Sequence, residues 1–313
     1  MSDMNIENES GIFQTAETRY RPAKFAVLAL LGLFFLYQIV GGGLTLLVIG
    51  GKIDLDNVTM ARLATMISQF LFLLVPTILL AKRQHGNISE VFRWRIPSFG
   101  EAFLAVIGMV ALMQIAEFYL YFQGMIPIPE KMAPFLTEMK RMIEEAFKVL
   151  IVAHSVPELI FVMTVAALTP AICEEMMFRG LIQRNFTISH GSVKGFILAG
   201  TIFGIYHMNP FWLIPLMALG VYFSFIQYRS QTLVLPIITH FLNNAASTLG
   251  VYVYGNSEST TPTIFMGEQA EPSMKMVLGT GIFFLIIFFL VIVQYIKVTE
   301  KVLHPQELNE QSN

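Results

Sequence analysis

Charge is what this chain has least of. Only 13% of its 313 residues are Asp, Glu, Lys or Arg, against 55% hydrophobic. A soluble domain carries about twice that charge, so a mean hydropathy of +0.62 marks an integral membrane protein. The 20 basic and 22 acidic residues leave a net charge of −2, which excludes the basic face of a nucleic-acid binder. Cys173 is the single cysteine, so there is no intramolecular disulfide framework. No histidine is spaced to activate it locally, and it reads as a small apolar helix residue. A His-Glu-x-x-His segment is also missing, and with it the familiar local zinc signature. The first 24 residues are polar and partly acidic, unlike a cleaved signal peptide. No internal repeat is visible.

What the chain has in quantity is apolar runs. They predict eight membrane helices, over about Phe25–Gly51, Leu63–Ala81, Ala102–Met125, Leu159–Phe186, Lys194–Met208, Phe211–Tyr228, Leu233–Tyr254 and Met276–Ile296. Between the third and fourth, Met132, Phe135, Leu136, Met139, Met142, Ile143 and Ala146 follow helical spacing, with Lys140, Arg141, Glu144 and Glu145 opposite. That pattern predicts an amphipathic helix lying on the membrane surface. The expected architecture is all-α and polytopic. A disordered tail fills residues 1–18, one transmembrane domain residues 19–298, and a polar tail residues 299–313. With the N-terminus inside, 13 of the 20 Lys and Arg fall on the cytoplasmic side and 7 on the other. By the positive-inside rule this predicts a multi-pass protein of the cell membrane with both termini cytoplasmic.

The fourth run carries Ala171-Ile172-Cys173-Glu174-Glu175-Met176-Met177-Phe178-Arg179-Gly180, two carboxylates and a guanidinium where hydrocarbon is expected. Ionisable groups at that depth cost a few kcal/mol each and usually face a polar cavity. Glu175 and Arg179 stand at i and i+4, the favourable order for a helical ion pair. Glu174 is rotated by roughly 100° from Glu175, so one carboxylate is neutralised and the other is free. Pro170, just upstream, should bend the helix beside the pair.

Two further runs hold matching polar groups. His207 shares a helical stripe with Phe203, Gly200 and Gly204, whose small residues admit a close neighbour. His240 and Asn244 are again i and i+4, so both should point to one partner. At about 1.5 Å per residue, Glu174, His207 and His240 each lie roughly 15–20 Å from the cytoplasmic ends of their helices. Three ionisable groups on three helices thus converge on one layer. A carboxylate beside an imidazole can hold and deprotonate a water, and an imidazole with a carboxamide can donate to an oxyanion. Glu174, His207 and His240 are also a candidate zinc ligand set. Both arrangements suit hydrolysis of a peptide or amide. Two alternatives from other classes are a proton- or ion-coupled transporter and a non-catalytic membrane scaffold.

Glu174-Glu175-x-x-x-Arg179, Phe203-x-x-x-His207 and His240-x-x-x-Asn244, in that order over about residues 158–254, resemble the CAAX prenyl protease and bacteriocin-processing (CPBP, Abi) family of intramembrane proteases. The resemblance implies that Glu174 with His207 activates the water and that His240 with Asn244 forms the oxyanion site. It also implies that Glu175, Arg179 and Phe203 support them. It carries two readings of the cofactor, a zinc ion or a water activated without metal. The implied partners are membrane lipid and a membrane-anchored peptide, prenylated or bacteriocin-like.

Overall fold

A computed structural model describes residues 18–51, 53, 56–254 and 273–303, and every regular element among them is helical. The tail expected over residues 1–18 lies almost wholly outside the described residues, as does the loop after Tyr254. Five helices are long and apolar enough to cross a membrane: α1 (Pro22–Val48), α2 (Val58–His85), α3 (Phe99–Gly124), α5 (Val156–His190) and α9 (Met274–Leu303). Between them stand α4 (Ala133–Ile151), α6 (Ser192–Tyr206), α7 (Leu213–Ser230) and α8 (Val234–Tyr254). Leu28, Leu31, Leu47, Leu79, Phe283, Phe289 and Leu290 are all exposed. An apolar coat of that extent is stable only against lipid.

The eight spans expected from sequence thus divide into five long helices and three shorter ones. The 15 residues of α6 extend only about 22 Å, less than the roughly 30 Å of a hydrocarbon core. The helix ends at Tyr206, and Met208 takes φ +50, an uncommon left-handed conformation for a residue with a side chain. Asn209 then accepts a hydrogen bond from the Phe211 N–H at 3.1 Å, and Gln123 of α3 donates to the Phe211 carbonyl at 3.1 Å. The chain reverses there into α7. Irregular backbone inside a membrane protein survives only where its polar groups are partnered or line a cavity.

Glycines set how closely α6 and α7 approach. A Cβ at Gly200 would collide with the backbone of Val221, and one at Gly204 would stand 2.5 Å from Met217. The small-residue stripe read from the sequence therefore has α7 as its neighbour. On the other side of α7, the Tyr222 hydroxyl donates to the Ala105 carbonyl of α3 at 2.7 Å. Met109, Leu112, Leu219, Phe223 and Tyr295 fill the space among α3, α7 and α9. A second cluster joins α1, α2, α5 and α6 around Leu33, Leu73, Met177, Phe178 and Phe203. The last helix continues to Leu303 rather than ending near Ile296, because Arg229 binds Thr299 at 3.0 Å and Thr299 is buried.

The amphipathic helix is present as α4. Phe135, Met142 and Phe147 are exposed, and Arg141 pairs with Glu138 and Glu145 at 2.5 and 2.7 Å. Its C-terminal end is held by Arg62 of α2, a buried guanidinium. Arg62 donates to the carbonyls of Leu150, Val149 and Val152 and pairs with Glu158 at 2.8 Å. A cation at a helix C-terminus meets both the unpaired carbonyls and the negative end of the dipole.

The glycine contact supplies a stability test. Gly200→Ala should destabilise the fold by about 1–3 kcal/mol, as overpacking does, and lower the unfolding midpoint in detergent. An unchanged midpoint would mean that the α6–α7 approach is not tight.

Candidate active site

The two glutamates sit on α5 between wide turns. π-Helical segments occupy Thr164–Leu168 and Met176–Ile182, with Pro170 between them. Proline supplies no N–H to the helical ladder, and the Thr169 hydroxyl donates to the Thr164 carbonyl at 2.8 Å. π turns, which recur at functional sites, thus stand on both sides of the proline.

Glu175 is fully buried and holds two partners on one oxygen. Arg179 donates to Oε1 at 2.9 Å and His240 donates to the same oxygen from Nδ1 at 2.8 Å. A second Arg179 nitrogen binds the Gly220 carbonyl at 2.9 Å, which ties α5 to α7. The guanidinium carbon lies 4.5 Å from the Phe203 ring centre and 5.5 Å from that of Phe223. Two aromatic faces thereby stabilise a charge that water cannot reach. The i, i+4 ion pair read from the sequence is present, with a third member 65 residues away. His240 stacks on Phe223 at 5.4 Å and meets Phe203 edge-on at 5.7 Å.

Glu174 points elsewhere, as the helical rotation requires. Its Oε2 is buried, has no hydrogen-bond partner, and stands 3.8 Å from His207 Nε2. That is too long for a direct hydrogen bond. His207 follows the last residue of α6, and its Nδ1 lies 2.8 Å from the Phe203 carbonyl. A carbonyl only accepts, so Nδ1 carries the proton and the lone pair of the neutral ring sits on Nε2. Two acceptors therefore face each other across 3.8 Å. With the ring neutral, one water beside the pair can donate to both. The His207 side chain is 31% accessible and that of Glu174 16%, so this corner opens outward while Glu175 stays sealed.

Asn244 sits one turn beyond His240 on α8, yet the two do not share a partner. Its amide reaches the Ala166 carbonyl at 3.5 Å and its Oδ1 accepts from Asn243 at 3.1 Å. Both side chains face α5, as their spacing requires, but they bond different residues of it, Glu175 and Ala166. With Nδ1 committed, His240 has Nε2 left for a ligand. No group of three His, Cys, Asp or Glu among the described residues is placed to hold a metal. His207 and Glu174 face each other, but His240 is turned to Glu175. The proposed zinc set does not fit this arrangement.

Sequence reading missed the His240–Glu175 bond, the Gly220 carbonyl and Phe223. Nothing in local spacing signals a contact across 65 residues.

Ion pairs and aromatic histidine contacts buried among apolar helices define a multi-pass helical membrane protein with a polar intramembrane site. Residues 156–246 match a family model described as Rce1-like, type II CAAX prenyl endopeptidase Rce1-like. This agrees with the CAAX protease resemblance carried by the three motifs, and the family is one of proteases. The match runs from the start of α5 into α8 and includes Glu174, Glu175, Arg179, Phe203, His207, His240 and Asn244; α1–α4 and α9 lie outside it. No curated protein and no solved structure matches the chain.

The two carboxylates should respond differently to mutation. Glu175→Ala or Arg179→Ala leaves a buried charge without its partner, at a cost of about 3–5 kcal/mol. Both variants should give less folded protein and a lower unfolding midpoint in detergent. Wild-type midpoints for both would show that the pair does not hold the helices.

Proposed function

We propose that this protein is an intramembrane endopeptidase that hydrolyses a peptide bond of a membrane-tethered substrate, prenylated or bacteriocin-like. The observation that carries the proposal is the unpartnered Glu174 carboxylate facing the unprotonated nitrogen of His207 at 3.8 Å, within the segment similar to a prenyl endopeptidase family. A water in that gap gives one proton to Glu174 and one to His207 as hydrogen bonds. As its oxygen attacks the substrate carbonyl carbon, one proton passes to Glu174. The oxyanion that forms is stabilised by donors, for which His240 Nε2 and the Asn244 amide are the candidates. In that role the His240 ring carries a proton on each nitrogen, with Nδ1 donating to Glu175. The C–N bond then breaks and the proton passes from Glu174 to the leaving amine. The catalytic core on this reading spans about residues 158–254.

The proposal extends to the membrane. The N-terminus and C-terminus lie in the cytoplasm, α6, α7 and α8 complete an eight-helix bundle with the five long helices, and α4 rests in the lipid headgroup layer. Cysteine placed at Ser2 or Ser312 should resist an impermeant thiol reagent in intact cells. Labelling of either site there would reverse the orientation.

The chemical test is Glu174→Gln, which nearly preserves shape. With a farnesylated peptide ending in a CAAX-type sequence, turnover should fall by about 10²–10⁴-fold, at an unchanged unfolding midpoint. Full turnover in that variant removes Glu174 as the base.

A further inference from the structure

We propose that Tyr206 is a third anchor of the hydrolytic water, in a polar pocket whose far wall comes from the N-terminal helices. The proposal rests on the hydrolytic reading above and adds a residue that none of the three motifs contains. Tyr206 directly precedes His207. Its ring is fixed edge-on between Phe34 of α1, at 5.2 Å, and Phe178 of α5, at 5.3 Å. The hydroxyl is buried, yet it has no hydrogen-bond partner. A buried phenol normally finds one.

The surroundings show what it faces. The Tyr206 hydroxyl interacts electrostatically with Glu174 and with Tyr37 of α1, and Tyr37 interacts with Glu174 as well. Tyr37 accepts a hydrogen bond from Gln69 of α2 at 3.2 Å, which leaves its own O–H to be donated. Gln69 Oε1 is again buried without a partner. Three buried polar atoms, Glu174 Oε2, Tyr206 Oη and Gln69 Oε1, thus lack partners on neighbouring helices. Such a set is what an internal water satisfies, since it needs two to four polar partners.

The hydrogen-bond inventory assigns the roles. Glu174 Oε2 and His207 Nε2 only accept, so they take both protons of the water. Its oxygen keeps two lone pairs. The Tyr206 O–H fills one of them and fixes the water's rotation, and the remaining pair is aimed at the substrate carbonyl. Orienting a reactant in this way acts on the chemical step rather than on substrate affinity.

Two measurements test this. A structure of the protein in lipid nanodiscs, at a resolution that shows waters, should hold density within hydrogen-bond distance of both Tyr206 Oη and Glu174. Tyr206→Phe should lose it. Well-ordered side chains around an empty gap in the wild type would overturn the proposal. Tyr206→Phe keeps both ring contacts, so its unfolding midpoint should stay at the wild-type value. With the farnesylated CAAX-type peptide its kcat should drop by about 10-fold, the worth of one hydrogen bond, while KM stays within about 2-fold. An unchanged kcat per folded molecule would refute the proposal, as would a kcat loss accounted for by unfolding. If the wild type leaves the peptide intact, the hydrolytic reading fails for that substrate, and the density alone decides whether Tyr206 holds a water.

Discussion

The polar centre of this structure rests on one carboxylate oxygen. Glu175 Oε1 accepts from Arg179 on its own helix and from His240 on α8, and Arg179 passes the connection on to Gly220 of α7. Three helices are thus fixed by charge-assisted hydrogen bonds where the surroundings are apolar. In that medium such bonds are strong and an unpaired member is costly. The arrangement also orients His240. Its Nδ1 proton is committed to a carboxylate, which fixes the ring's orientation and directs Nε2 away from Glu175.

A sealed pair and an open pair then follow from adjacent residues. Glu174 and Glu175 differ by one helical step, and that step turns one toward Arg179 and the other toward His207. Phe203 stands between the two sites. Its ring packs against His207 at 4.6 Å and against His240 at 5.7 Å, and it covers Arg179. The same residue offers its carbonyl to His207 Nδ1. A change at Phe203 would therefore reach both halves at once, the charge on Arg179 and the tautomer of His207.

Much of this was legible because helical spacing is local. The Glu175–Arg179 pair needed only the i, i+4 rule, and the separate direction of Glu174 only the 100° step. The Gly200–Gly204 stripe announced a close neighbour, although not that the neighbour would be α7. Contacts that join distant helices left no mark in the sequence. Asn244 and His240 both face α5, as i, i+4 spacing requires, but the residues they bond there, Ala166 and Glu175, could not be read from it. Helix length was the other weak point. An apolar run reads as a span whatever its depth, but α6 stops at Tyr206, and the turn that follows is held by Asn209 and Gln123. Those two side chains hold the turn from α6 into α7, and His207 stands at that reversal.

The division between the matched segment and the rest has a physical consequence. Residues 156–246 supply the acids, the histidines and the asparagine, but they cannot enclose Glu174 by themselves. The segment that carries Glu174 also packs on α2, and Tyr37 of α1, bonded to Gln69 of α2, interacts with the carboxylate. A hydrolytic site in a bilayer must admit water to one carboxylate while keeping lipid from it. Phenols and a carboxamide there can hold a water against the carboxylate without opening the bundle to solvent. On the hydrolytic reading, helices that carry no motif therefore still set the medium in which the motif residues work.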